Sequence, residues 1–153
     1  MARTFLRPRL AWEDRYRQPA VADLLAPFNK PIKDLLEVAR ERLRSFEGMT
    51  EEVSWQGIPW RWTFVYRFRD EMPRAWAYLI PDPAKPQIAL PLMPEVTETL
   101  RIRRLSRFIR DRIVFASQVN GVRWAQWEVS SKSQLDEILE LAACKHTVLA
   151  ASA

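Results

Sequence analysis

The sequence predicts an α+β fold: a largely antiparallel five-stranded sheet with helices packed on one face, in the order α-β-β-β-β-α-β-α. Three observations carry this expectation. Glu51 to Phe68 reads EEVSWQGIPWRWTFVYRF, and from Trp60 onward its aromatic residues fall on every second position. The connections after it are short and proline-defined, which suits hairpins rather than parallel crossovers. Helical periodicity precedes this block and returns after it.

Residues 1–28 read as a basic arm. Arg3, Arg7, Arg9, Arg15 and Arg17 outnumber Glu13 and Asp14, while Pro8, Pro19 and Pro27 interrupt any long helix. Phe5, Leu6, Leu10 and Trp12 are available to pin the arm to the body, and Val21 to Leu25 suits a short helical turn. A single α+β domain spans 29–147. Its first helix is expected from Lys30 to Phe46, where Ile32, Leu35, Leu36, Ala39, Leu43 and Phe46 form one apolar stripe. Asn29 is placed to cap it, Pro31 suits the first turn, and Gly48 follows as a stop.

Strands are then expected at Glu51–Trp55, Trp60–Phe68, Ala75–Ile80 and Gln87–Leu90, with turns at Gln56–Pro59 and Asp70–Pro73 and a stop at Pro91. A strand sends alternate side chains to opposite faces. Trp60, Trp62, Phe64, Tyr66 and Phe68 thus share an aromatic face, and Arg61, Thr63, Val65 and Arg67 the other. From Glu95 to Ser117 the period is helical again, with Val96, Leu100, Ile102, Leu105, Ile109 and Ile113 on one side and Arg101, Arg103, Arg104, Arg107, Arg110 and Arg112 as a dense positive surface. Asn120-Gly121 marks a turn into a fifth strand, Val122–Val129, whose Trp124 and Trp127 have opposite parity and face opposite sides. Ser133 is expected to cap a last helix, Gln134 to Lys145, and the small-residue tail 148–153 to fray.

A chain of 153 residues, 48% hydrophobic and 28% charged, is long enough to bury a core without metal or disulfide support. No apolar run approaches the roughly 20 residues that cross a bilayer. The first residues lack the apolar core of a secretory signal, and Cys144 has no second cysteine to pair with. A cytoplasmic location is expected, with no membrane partner. Three glycines leave little material for glycine-rich phosphate loops.

Leu35 to Tyr66, a helix with arginine-rich last turns followed by Glu51-Glu52-Val53-Ser54-Trp55 and then Gly57 and Pro59, resembles the DUF1801 or YdhG-like domain family. Those domains show a similar E-E-x-x-S-W-G-x-P run after their first helix and a terminal helix closing the domain. Here Gln56 intervenes between Trp55 and Gly57. The family is mostly uncharacterised. One group is described as a frataxin-like iron chaperone, but Glu51, Glu52, Asp70 and Glu71 are too few for an acidic iron-binding face, and the net charge of +5 has the opposite sign.

Most catalytic chemistry lacks its residues. Zinc wants four N/S ligands, and the chain has one histidine, His146, and one cysteine, Cys144. A nucleophile–histidine pair would have to use His146 beside the fraying tail. Glu51 and Glu52 point to opposite faces of a strand, and a cross-strand salt bridge to Arg61 or Arg67 accounts for one of them. No catalytic residue, metal site or cofactor is therefore expected.

Two signals point to a partner instead. Trp55, Trp60, Trp62, Tyr66, Trp76, Trp124 and Trp127 exceed what one sheet face accommodates, and with Glu52 they are the candidate ligand-binding residues. Arg101, Arg103, Arg104, Arg107 and Arg110 are the candidate anion contacts. The expectation is a non-enzymatic binding or interaction module with an aromatic-lined groove beside a basic helix. Its partner is a small ligand or a protein, a second copy of the chain included. The alternative is nucleic-acid binding through the arginine-rich helix 95–117 and the N-terminal arm.

Overall fold

The computed structural model describes residues 9–69 and 75–151, with Ile102 described by its backbone alone. The expected turn at Asp70–Pro73 and the arm residues Arg3, Phe5, Leu6, Arg7 and Pro8 lie outside the described residues. The chain forms α1 (Val21–Leu25), α2 (Lys30–Ser45), β1 (Met49–Trp55), β2 (Trp62–Phe68), β3 (Ala77–Ile80) and β4 (Gln87–Leu92). Then come α3 (Pro94–Thr99), a 3-10 turn (Ile102–Arg104), α4 (Arg107–Val114), β5 (Ser117–Val119), β6 (Val122–Glu128) and α5 (Lys132–Ala151).

The strands make one sheet in the order β1-β2-β3-β4-β6-β5, antiparallel throughout. Residues directly opposite each other in an antiparallel pair share a face. The register Val53–Phe64–Leu79–Ile88–Trp127 therefore traces a single face across five strands. Helices cover it. Arg40 of α2 lies 4.9 Å over the Phe64 ring, and His146 of α5 packs 5.2 Å from Phe68. Arg123 of β6 donates to the carbonyls of Ile113 and Val114 in α4.

Local rules explain the helices. The Asn29 side chain accepts the Ile32 N–H at 3.1 Å, and Pro31 sits where its missing N–H costs nothing. Leu36, Ala39 and Leu43 then line the buried face of α2, and Leu135, Ile138, Leu139 and Ala142 that of α5. Each fully buried leucine or isoleucine contributes roughly 1.5–3 kcal/mol relative to exposure. Docking of these faces outweighs any surface ion pair, whose contribution is about 0–1 kcal/mol.

The arm from residue 9 onward is tied to the turn before β2. The Trp12 indole donates to the Trp60 carbonyl at 3.0 Å, and the Trp62 indole donates to the Asp14 carbonyl at 2.6 Å. Arg61 lies 5.0 Å over the Trp12 ring and 3.6 Å from Glu13.

The structure corrects several expectations. β2 starts at Trp62, because Arg61 is left-handed (φ 59°) and breaks the alternation. Trp60 is thereby turned to the face opposite Trp62, 4.9 Å from the Tyr78 ring. β4 runs through Pro91 to Leu92 rather than stopping. Tyr78 pairs with Ala89, so Pro91 lies beyond the first residue of β3, Ala77. Its carbonyl, and hence its missing N–H, faces a side where the ladder has ended, so proline costs no ladder bond there.

The helix expected over 95–117 is broken into three. The Thr97 and Thr99 hydroxyls bond back to the carbonyls of Pro94 and Glu95, Leu100 is extended (φ −72°, ψ 131°), and Ser106 caps a new helix by accepting the Ile109 N–H. Its last residue, Ser117, instead opens a sixth strand, β5, joined to β6 by Asn120 and Gly121 at φ 52° and 80°. α5 begins earlier, with Ser131 rather than Ser133 accepting the Gln134 N–H. It continues to Ala151 with Leu149 buried, so 148–151 is helix rather than a frayed tail.

Candidate functional site

A cleft of about 620 Å³ opens where α4 ends and the β5–β6 hairpin begins. That volume lies within the roughly 300–1,000 Å³ of ligand pockets. Trp124 and Gln126 are successive same-face residues of β6, and Ser117 of β5 lies opposite Trp124. From β4, Gln87 joins them: Ala89 pairs with Gln126 and Gln87 with Glu128, so the two glutamines are diagonal neighbours on one face. Phe115 and Arg112 enter from the end of α4, and Lys85 from the loop before β4.

The sequence explains this assembly. Ser106 starts α4 and the Asn120-Gly121 turn reverses the chain, so the residues between them are folded back against β6. Phe115 is 83% exposed, an unusual position for a phenylalanine, and Trp124 is half-buried. Neither glutamine side chain makes a hydrogen bond among the described residues, and both are half-buried. Asp111 also lines the cleft, but its carboxylate is 3.3 Å from Arg107 and 3.9 Å from Arg110. Lys85 and Arg112 therefore leave the cleft electropositive. It offers flat apolar walls, two amides and two cations.

The aromatic candidates do not form one groove. Tyr66, Trp62, Trp76 and Trp127 are core residues, between 0% and 8% exposed. Trp76 packs 5.5 Å from Phe46 on the helix side. Trp55 is half-buried, edge-on to Trp62 at 5.7 Å, and lines a separate cleft with Arg9, Arg15 and Arg61. Trp60, Tyr78 and Trp124 make a row on the other face, with centroids 4.9 and 6.0 Å apart. As their parity predicts, Trp124 and Trp127 lie on opposite faces. Of the eight candidates only Trp124 lines the cleft beside α4. Glu52 is exposed and bonded to Arg67 at 3.1 Å.

The arginine candidates do not lie on one helix. Arg101 precedes the 3-10 turn, Arg103 and Arg104 belong to it, and Arg107 and Arg110 belong to α4. Arg101, Arg103, Arg104 and Arg107 are exposed. Lys85, Gln87, Phe115, Ala116, Ser117 and Gln126 line the cleft without having stood out in the sequence. Gln87 and Gln126 had a legible signal in being polar on sheet positions.

Two buried polar arrangements lie outside the cleft. Glu51 takes a two-point contact from Arg40 (2.7 and 3.2 Å) and the Tyr66 hydroxyl at 2.7 Å. The side chains of Arg40 and Glu51 are only 12% and 11% exposed. Burial, then the adjoining Glu51 charge, pushes the Tyr66 phenol well above its ordinary range. Both carboxylate oxygens are engaged, so the network braces α2 on β1 and β2 rather than presenting a free base.

The second is Lys145, 1% exposed, whose Nζ donates to the carbonyls of Trp76 and Pro91 and lies 5.1 Å from the Trp76 ring. With no carboxylate partner among the described residues, burial lowers it from 10.5 to about 7. His146 sits in α5 rather than in a loose tail, stacked on Phe46 with Nε2 2.9 Å from the Glu47 carbonyl. Among the described residues no three His, Cys, Asp or Glu side chains gather as a metal site. No helix among them is long and apolar enough to cross a membrane.

Compared with known proteins, the chain matches no family model and no curated relative.

Proposed function

We propose that the chain is a non-enzymatic binding module whose ligand carries a flat apolar group and a negative charge. The observation that carries this reading is the cleft in which Trp124 and Phe115 stand beside Arg112 and Lys85. Flat rings take a planar group by stacking, and the two cations give the site its sign preference. This is the aromatic surface beside a basic helix in reduced form, with one tryptophan rather than a row. A cytoplasmic setting belongs to the proposal and is supported by the exposed free thiol of Cys144. So does kinship with the DUF1801 or YdhG-like domains, supported by the passage from α2 into the β1–β2 hairpin and the closing helix α5.

Titration calorimetry with 1-naphthyl phosphate tests the reading. One-to-one binding that weakens with added salt and is lost in Trp124→Ala supports it. Absence of binding, or binding that Trp124→Ala leaves unchanged, removes it. A nucleic-acid strand as partner is the second reading, favoured by the exposure of Arg101, Arg103, Arg104 and Arg107. Fluorescence anisotropy with labelled RNA and DNA across a salt series tests it, and a flat, salt-independent signal would sink it.

A further inference from the structure

We infer that the flat, charged group held in this cleft is a nucleotide, its base stacked on Trp124, its edge met by the amides of Gln87 and Gln126, and its phosphate held by Lys85 and Arg112. The inference rests on the proposed function and adds the ligand class.

The amides distinguish a nucleotide from a plain aromatic anion. Gln87 and Gln126 are diagonal neighbours on adjacent strands, so their side chains rise from the same side of the sheet at a separation of roughly 7–8 Å between Cα atoms. Each carboxamide carries a donor pair and an acceptor, and neither is satisfied by another described residue. Two half-buried amides keep donors and acceptors open toward the cleft, and a ligand with both along one edge can take them together. A nucleobase has that edge, whereas a naphthyl or phenyl ring offers the amides no hydrogen bond. Trp124 is the next same-face residue along β6 from Gln126, roughly 6.5–7 Å away. The amide of Gln126 and the indole face are thus adjacent, one for the edge and one for the plane of a single base. Aromatic side chains take bases in this way without demanding a particular sequence.

The charges fit the other end. Asp111 would repel a phosphate, but Arg107 and Arg110 already occupy its carboxylate, at 3.3 and 3.9 Å. Arg112 and Lys85 make no ion pair among the described residues. Arg112 brings a planar fork that suits phosphate oxygens, and Lys85 a point charge. The nucleotide has two sources, a free nucleoside monophosphate or one residue of a single strand. The chemistry in the cleft is shared between them.

Calorimetry on the full chain would compare the four nucleoside 5′-monophosphates, a ten-residue single-stranded oligonucleotide and 1-naphthyl phosphate. At least one nucleotide ligand is expected to bind about tenfold or more tightly than 1-naphthyl phosphate. Gln87→Leu and Gln126→Leu should remove that advantage, weakening the nucleotide relative to naphthyl phosphate. Trp124→Ala should weaken both ligands about fivefold or more. Tight mononucleotide binding supports the inference with a free ligand as source. Tight oligonucleotide binding that Gln126→Leu weakens supports it with a strand as source. If naphthyl phosphate binds as tightly as every nucleotide and the glutamine variants change nothing, the nucleotide inference is overturned while the planar-anion reading stands. If nothing binds, both fall. Each variant's unfolding transition is compared with the parent, so that a lost signal is not mistaken for a lost fold.

Discussion

Lys145→Met tests the most consequential buried group in the molecule. The ammonium has no counter-ion among the described residues, and burial lowers its pKa from 10.5 to about 7. The sign follows from linkage: between those values the unfolded chain binds the proton and the folded chain does not, so stability rises with pH. Below pH 7 both forms are protonated and the penalty is constant at about 5 kcal/mol, from roughly 1.36 kcal/mol for each pH unit of displacement. Between pH 7 and 9 the wild type should gain about 2 kcal/mol from this group alone. Tyr66 does not confuse the window, because its raised pKa matters only at higher pH, where stability is lost as the phenol ionises in the unfolded chain first. In Lys145→Met the gain should vanish, and the carbonyls of Trp76 and Pro91 are left unpaired at a cost of roughly 1–3 kcal/mol each. The variant should therefore lie furthest below the wild type at pH 9 and approach it at pH 6. Urea denaturation at pH 6, 7, 8 and 9, followed by circular dichroism, measures the difference. Parallel stability curves for the two proteins between pH 7 and 9 would refute the reasoning.

Three further predictions concern named contacts. Arg40→Met strands the buried Glu51 carboxylate and should cost about 3–5 kcal/mol, whereas Arg67→Ala at the exposed Glu52 pair should cost less than about 1; urea midpoints separate the two. Asn29→Ala removes the cap of α2 and should cost about 1 kcal/mol, seen as a fall in unfolding temperature. Gly121→Ala places a Cβ 3.7 Å from Pro94, ordinary contact, so its cost is the backbone's alone at φ 80°, about 1–2 kcal/mol by the same measurement.

The helices were legible in the sequence because their signals are local. An Asn29 cap, an early proline and an apolar stripe specify α2 without reference to anything distant. The antiparallel arrangement was legible for the same reason, through short connections. What misled was the assumption that a period continues. The alternation of aromatic residues runs on to Trp60, but a left-handed Arg61 reverses the face at that position, and arginine carries no mark of such a conformation. Apolar residues from Val96 to Ile113 at helical spacing bridged 95–117, although Thr97, Thr99 and Ser106 held the hydroxyls that divide the segment. Asn120-Gly121 did announce a hairpin, yet its first strand, Ser-Gln-Val, is too short and too exposed to show a pattern. The cleft depends on that hairpin, so Phe115, Gln87 and Gln126 came into view only with the fold. Lys145 reads as a surface residue until β3 ends one position short of Pro91's partner.

The exchange of indole contacts between the arm and the β2 turn has a consequence for the order of folding. Trp12 to Trp60 and Asp14 to Trp62 each join positions 48 apart, and the groups the arm meets, the Trp60 carbonyl and the Trp62 indole, are positioned only once β1 and β2 have paired. Closing so long a loop is entropically slow, so the hairpin should assemble first and the arm dock last. By the same logic the arm should be the first part to leave. Its detachment would expose two tryptophans while the sheet stays intact, a partial opening visible as fast exchange of the Trp12 and Trp62 indole protons against slow exchange in β2 to β4.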